Sequence, residues 1–466
     1  MHHYSARAMK SIIFLSAVAI AVFALSTMGC SSSPGVDDEV REAIESGRTD
    51  NVNAIREFEE AVAAWEESEG EDLRAVRRHL ERALREDDRF GIAWFNLGIL
   101  AELEGDYDEA RGHYERALEN APRLGQAYVN IGIMEQKAGN NAEARRLFEQ
   151  ALEYQPFNTA AHNNVSVMLR GDGEYETAIS HARRSLAGDS RNTTAYLNLA
   201  SVYFDQGNHR VARLVVLNGL DIDDEDANLY NLMGVIELAR NEVGSAMSYF
   251  RQGLNYDPDH VAARMNLGAV VMNVRDYEQA SEHFEHVLSL EPDHQDAMIA
   301  LAVSKRAMGD LDGARDLYEQ VLELEPDHAA IQFNLAVLEH EHMAQNAQLG
   351  LGSEPPADPV GNLDWTINNM RESLKHYDLA IEHYHRFLEL EDGQYPAMRE
   401  DTDRRLSQIA EIKGMLEEEI PNLEEDRDFI AEEMAAIETM EDQDDGFEDD
   451  FDDDFDDDFD DDFDGE

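Results

Sequence analysis

The sequence predicts an all-α solenoid, one small helical unit copied along the chain. Three observations predict it. Alanine recurs at one constant interval, at Ala110, Ala144, Ala178, Ala212, Ala246, Ala280 and Ala314. An aliphatic column with the same period runs through Leu97, Ile131, Val165, Leu199, Met233, Leu267, Leu301 and Leu335. The next residue is always small: Gly98, Gly132, Ser166, Ala200, Gly234, Gly268, Ala302 and Ala336. A fixed period of this length describes one supersecondary unit that packs on its neighbours, so length alone sets no limit on the fold.

Composition narrows the function. The 466 residues include 100 acidic and 38 basic side chains, a formal net charge of −62. Such a surface repels nucleic acid and anionic headgroups, and suits basic protein partners or divalent cations. Only five of the basic residues are lysine, a pattern that fits a protein living in high salt equally well. The single cysteine, Cys30, allows no intramolecular disulfide.

Positions 1–29 read as an address. Arg7 and Lys10 precede an apolar run, residues 11–25, that is short for a membrane-spanning helix. Ser26-Thr27-Met28-Gly29-Cys30 follows and resembles a bacterial lipobox, with Thr27 where that family usually has leucine. The resemblance implies cleavage after Gly29, lipidation of Cys30 and, from Ser31 at the next position, residence in the outer membrane facing the periplasm. An uncleaved anchor or an ordinary secretory signal is the alternative. Residues 30–56 then read as a tether and a leading helix.

Within each copy the columns have physical reasons. The small residue lets two helices approach closely, and the alanine is the matching contact on the second helix. Gly105, Gly139, Gly173, Gly207 and Gly309 fall at the turn between them, where positive φ ends the first helix. Asn241 and Arg275 take that position in two copies. Pro122, Pro156, Pro258, Pro292 and Pro326 stop the second helix. The pattern Trp94-x-x-Leu97-Gly98…Gly105-Asp106-Tyr107…Ala110…Tyr114…Ala117-Leu118…Pro122 has a known counterpart. It resembles the tetratricopeptide repeat, a helix-turn-helix of about 34 residues. The resemblance covers residues 91–328 as seven uninterrupted copies and implies a right-handed superhelix with the first helices on its concave face.

The pattern weakens at both ends. Residues 57–90 fit as a degenerate copy, with Val76 in the alanine column. An eighth clear copy starts at Phe333-Asn334-Leu335-Ala336, but its second helix, marked by Ala380, Tyr384, Phe387 and Leu388, arrives late. The insertion that delays it, about residues 345–376 within a split repeat of 329–391, reads as a long loop, functional or neutral. Residues 392–440 carry helical apolar spacing, broken near Pro421, and read as helices capping the last repeat.

Candidate binding residues follow from the frame. The position before the aliphatic column is Asn96, Asn130, Asn164, Asn198, Asn266 and Asn334 in six of eight copies. An amide both donates and accepts, so this column suits the main chain of an extended peptide; it also suits local polar groups. Nearby first-helix positions, Phe95, Val129, Asn163, Leu197, Asn231, Met265, Ile299 and Phe333, hold no lysine, which argues against a carboxylate clamp. With Ile99, Ile133, Val167, Val235 and Val337 they describe an apolar groove. His340 with His342, His383 with His385, and His283 with His286 read as solvated surface histidines, because residues two apart point to different helix faces. No metal, cofactor or catalytic residue is expected, and the chain reads as a non-enzyme.

The C-terminal tail, 441–466, holds 18 acidic and no basic side chains, with Phe447, Phe451, Phe455, Phe459 and Phe463 four apart. Dense aspartate predicts disorder. The tail reads as a multivalent short motif, a cation binder or a drifted low-complexity tract. The resemblance implies a lipoprotein scaffold that binds envelope proteins. Tetratricopeptide lipoproteins of this plan serve pilus assembly, outer-membrane protein insertion and the gliding-motility machinery of myxobacteria. The alternative is an adaptor that brings an envelope hydrolase or protease to its substrates.

Overall fold

The computed structural model describes residues 47–444, with side chains to residue 439. The expected signal, Cys30 and the five tail phenylalanines lie outside the described residues. All regular structure described is helical, and it falls into two compact units that meet in the chain at Asn273 and Val274.

The first unit stacks helical hairpins. They are α1 (Val52–Glu67) with α2 (Leu73–Glu86), α3 (Gly91–Glu104) with α4 (Tyr107–Asn120), α5 (Gly125–Lys137) with α6 (Asn141–Tyr154), and α7 (Thr159–Gly171) with α8 (Tyr175–Gly188). Next come α9 (Thr193–Asp205) with α10 (His209–Leu220), α11 (Ala227–Ala239) with α12 (Val243–Tyr256), and α13 (Val261–Asn273). The unit boundary therefore falls between the two helices of the sixth regular copy. The degenerate copy starts earlier than expected. Its first helix begins at Val52 because Asn51 caps it, accepting from the backbone N–H groups of Asn53 and Ala54. Residues 47–51 are not helical but strap the hairpin, with Asn51 donating to the Glu86 carbonyl at 2.8 Å.

The period is written in the packing. All seven column alanines are fully buried. A Cβ on Gly98 would lie 2.4 Å from the Tyr114 ring, one on Gly132 2.6 Å from Phe148, and one on Gly234 2.4 Å from Phe250. Where the second-helix partner shrinks to Ala182 or Val216, the glycine becomes Ser166 or Ala200. Ser166 uses the room to donate to the Ala178 carbonyl at 2.9 Å. In these five copies bulk is traded between the two helices of a hairpin, whereas Ala302 faces Tyr318 in the seventh. The turn needs left-handed backbone, which Gly105 adopts at φ 85° and Arg275 at φ 66°. Aspartates after the turn, such as Asp106, cap the second helix.

Ion pairs stitch successive hairpins. Arg111 on α4 pairs with Glu135 on α5, and Arg213 on α10 pairs with Glu237 on α11 at 2.8 Å. Both glutamates are buried. The second unit repeats the device with Arg315 and Glu339 at 2.8 Å, and the same arginine column also pairs Arg77 with Glu104 and Arg145 with Asp172.

The second unit comprises α14 (Tyr277–Leu290), α15 (Gln295–Met308), α16 (Leu311–Leu324) and the split copy. Here the expectation of a long inserted loop is corrected. The first helix of the split copy, α17 (Ala329–Leu338), continues through a π turn (Glu339–Met343) into α18 (Ala344–Gln348). The second, α19 (Pro359–Leu390), starts well before its repeat-matching half. The insertion lengthens both arms of a hairpin and leaves only residues 349–358 as loop. Asp358 accepts from the Gly361 N–H at 2.6 Å and Pro359 stands in the first turn, which together start α19. Trp365 braces the loop, donating from Nε1 to the Ser353 hydroxyl at 2.8 Å.

The expected break near Pro421 is also absent. One helix, α20 (Pro396–Asp444), runs through it. The proline removes one N–H from the ladder, and its exposed position leaves the freed carbonyl to water. The first half of α20 does cap the last repeat, as Ile409 and Leu416 pack with Ala336, Tyr377, Ala380 and Tyr384.

Candidate protein-binding surface

In the first unit the first helices of successive hairpins touch one another, α5 with α7, α7 with α9, α9 with α11 and α11 with α13. They form one continuous wall. The positions expected to line it divide into two groups. Phe95, Ile99, Val129 and Asn163 are buried, as is Val337 in the second unit, so these belong to the core and correct the expected groove. Phe95 packs on the Tyr114 ring, with centroids 5.5 Å apart. Ile133, Leu197, Val235, Asn231 and Met265 are half-buried, and Val167 is exposed on the wall. In the second unit Ile299 and Phe333 are half-buried.

The six asparagines have different surroundings. Asn96 is fully buried and donates from Nδ2 to the Ile92 carbonyl of its own helix at 2.7 Å. Asn164 makes the same bond to the Ala160 carbonyl at 2.9 Å. Asn198 reaches the Asn163 carbonyl of the preceding repeat at 3.4 Å, and Asn266 the Asn231 Oδ1 at 2.8 Å. Asn130 bonds the Tyr114 hydroxyl, which itself donates to Glu102 at 2.7 Å. Burial pushes the Glu102 carboxyl up and the Tyr114 phenol up with it. Asn334 is half-buried. Five amides therefore already bond within the chain, three of them between neighbouring repeats. An amide that spends Nδ2 this way keeps its carbonyl oxygen, and Asn96 Oδ1 is buried without a partner. No periodic signal in the sequence separates these cases, because the bonded atom changes from copy to copy.

The histidines are less exposed than their spacing suggested. His340 is buried in the π turn, against the rings of Tyr377 and Tyr384, and burial holds it below the usual imidazole range. His383 meets Gln332 at 2.8 Å. Burial pushes Glu339 up, but His376 at 2.6 Å and Arg315 outweigh it and hold the carboxyl low. Among the described residues no group of three or more His, Cys, Asp or Glu is placed to hold a metal ion.

One histidine pair, His162 buried and His181 half-buried, has no counterpart in the sequence pattern. His162 donates from Nε2 to the Pro156 carbonyl at 2.9 Å, which leaves its Nδ1 to accept from His181 Nδ1 at 3.1 Å. Burial, then the neighbouring His162 and Arg184, hold His181 down to about 4.

Models of the tetratricopeptide repeat match residues 90–156, 130–193, 169–236 and 274–332. The chain is a tetratricopeptide-repeat protein. Tetratricopeptide-repeat proteins are in general non-enzymatic scaffolds that bind partner proteins on the wall of first helices. The solved structure of PilF from Pseudomonas aeruginosa is similar at 20% identity and TM-score 0.37, covering 43% of this chain and 92% of that one. PilW, a type IV pilus biogenesis factor, is similar at 20% identity and TM-score 0.40, covering 47% and 99%. Yeast Tom70 is similar at 16% identity and TM-score 0.44, covering 68% of each chain. At these identities the likeness concerns the fold alone. No curated protein matches this tetratricopeptide-repeat chain.

Proposed function

We propose that this protein is a lipid-anchored scaffold of the bacterial outer membrane, holding partner proteins in the periplasm to assemble an envelope machine of the motility, pilus or secretion type. The observation that carries the binding part is the continuous wall of first helices, with Val167 exposed and apolar or amide side chains half-buried around it. A mixed apolar and amide surface suits an extended or amphipathic segment, since apolar contacts supply affinity and amides pair with peptide groups. The anchoring part rests on the sequence Gly29-Cys30 after a short apolar run. Several acyl chains, at about 0.8 kcal/mol per buried methylene, make attachment effectively permanent.

Two experiments test this reading. Cys30→Ser is expected to move the protein from membrane to soluble fractions, and continued attachment would point to an uncleaved anchor. Capture from solubilised membranes is expected to recover machine components with the parent chain and to lose them with Val167→Asp. Recovery of peptidoglycan hydrolases or proteases instead would favour an adaptor role. For the acidic tail, a calcium titration followed by circular dichroism separates cation binding from protein binding.

A further inference from the structure

The last helix is longer than the surface it covers. Along α20, Leu416, Ile420, Leu423, Arg427, Ile430, Met434 and Ile437 follow one another at alternating steps of four and three. This is the seam of a two-stranded coiled coil. The partner for its first part is α19, which runs antiparallel. Lys413 pairs with Asp378, Arg371 with Glu424, and Arg427 with Asp364 at 3.1 Å. On that register α19 begins, at Pro359, opposite about residue 432 of α20.

Exposure follows the register. Leu416 and Ile420 are 4% and 8% exposed, Leu423 and Ile430 are half-buried, and Met434 and Ile437 rise to 44% and 56%. From Glu432 to Thr439 every side chain is exposed. The helix nevertheless continues to Asp444, and its apolar seam runs to Ile437, about one and a half turns past the end of its partner. Its flanks are strongly charged. Ten carboxylates and one guanidinium, that of Arg427, occur from Glu424 to Asp444.

We propose that this overhanging seam docks a basic amphipathic helix of another protein, with Ile430, Met434 and Ile437 as the apolar anchors. Charge decides the occupant. A second copy of this chain would bring an equally acidic helix against the first, and like charges flanking a coiled-coil seam oppose pairing. An anionic membrane is repelled in the same way. A lysine- or arginine-flanked helix matches both the apolar stripe and its acidic margins. None of these residues belongs to the wall of first helices, so the seam goes beyond the function proposed above.

The test uses the full-length chain and two synthetic three-heptad peptides of identical charge. One has leucine at the seam positions and lysine around them, and the other has glutamine at the seam. Fluorescence anisotropy is expected to give at least about tenfold tighter binding of the leucine peptide, a difference that electrostatics alone cannot supply. In Met434→Gln/Ile437→Gln that ratio is expected to fall to about one, with helix content by circular dichroism unchanged. Ala436→Gln, off the seam, and Val167→Asp, on the repeat wall, are expected to keep the ratio. An unchanged ratio in the double variant would overturn the proposal. So would sedimentation showing a dimer of the parent that the double variant loses, which assigns the seam to a second copy. Binding to neutral lipid vesicles that the double variant loses would overturn it as well.

Discussion

At Gly98, Gly132 and Gly234 one methyl group decides whether a hairpin can close. Each faces an aromatic ring closer than any Cβ tolerates. Gly132→Val is expected to destabilise the first unit by about 1–3 kcal/mol, read as a lower urea midpoint, because the Phe148 ring has no free space to enter. The small-residue column was legible in the sequence, and so was the reason for it. The trade of bulk between Gly and Phe in one copy and Ser166 and Ala182 in another could have been read there too, by comparing the two columns copy by copy. The asparagine bonds could not, since a polar side chain's partner depends on its rotamer. The same holds for His162 and His181, which are distant in sequence and meet only through hairpin packing. Their folded-state affinity for protons is depressed. Stability from the neutral pair is present above the unfolded imidazole value of about 6.5 and is lost as pH falls from there toward about 4. His181→Gln is expected to flatten that part of the pH dependence, measured as urea midpoints of parent and variant across the window.

Helix ends set the limits of what the pattern could foretell at the level of elements. In most regular copies glycine at the turn and proline after the second helix punctuate the hairpin, and the punctuation matches the structure. In the split copy the same signals mislead. Gly350, Gly352, Pro355 and Pro356 mark a real loop, but the residues on both sides of it are helical, so the insertion became a longer hairpin. Pro421 misled in the opposite way, because on an exposed helix face the carbonyl it frees is open to water and the helix runs on. The first half of α20 is a structural cap. Ile409 is fully buried against the last repeat, and Ile409→Ala is expected to cost about 2–5 kcal/mol, seen as faster amide exchange in α19. A substitution at Met434, on the overhang, is expected to leave that exchange unchanged.

Across the whole molecule, the repeat period and the acidity bear on different parts of function. The period gives a protein a row of equivalent first helices, which is a surface for an elongated ligand. A formal charge of −62 sets which ligands approach it and makes their association weaken with salt. Partners are expected on the wall of first helices, not on the outer second helices. Site-specific photo-crosslinking in cells tests this most directly, with the crosslinker placed at Val167 on α7 or at Arg146 on α6. Both sites are exposed, at 41% for Val167 and 58% for the Arg146 side chain. Discrete protein adducts from position 167 and none from position 146 are the predicted result. Adducts from position 146 alone would place the partners on the second helices instead.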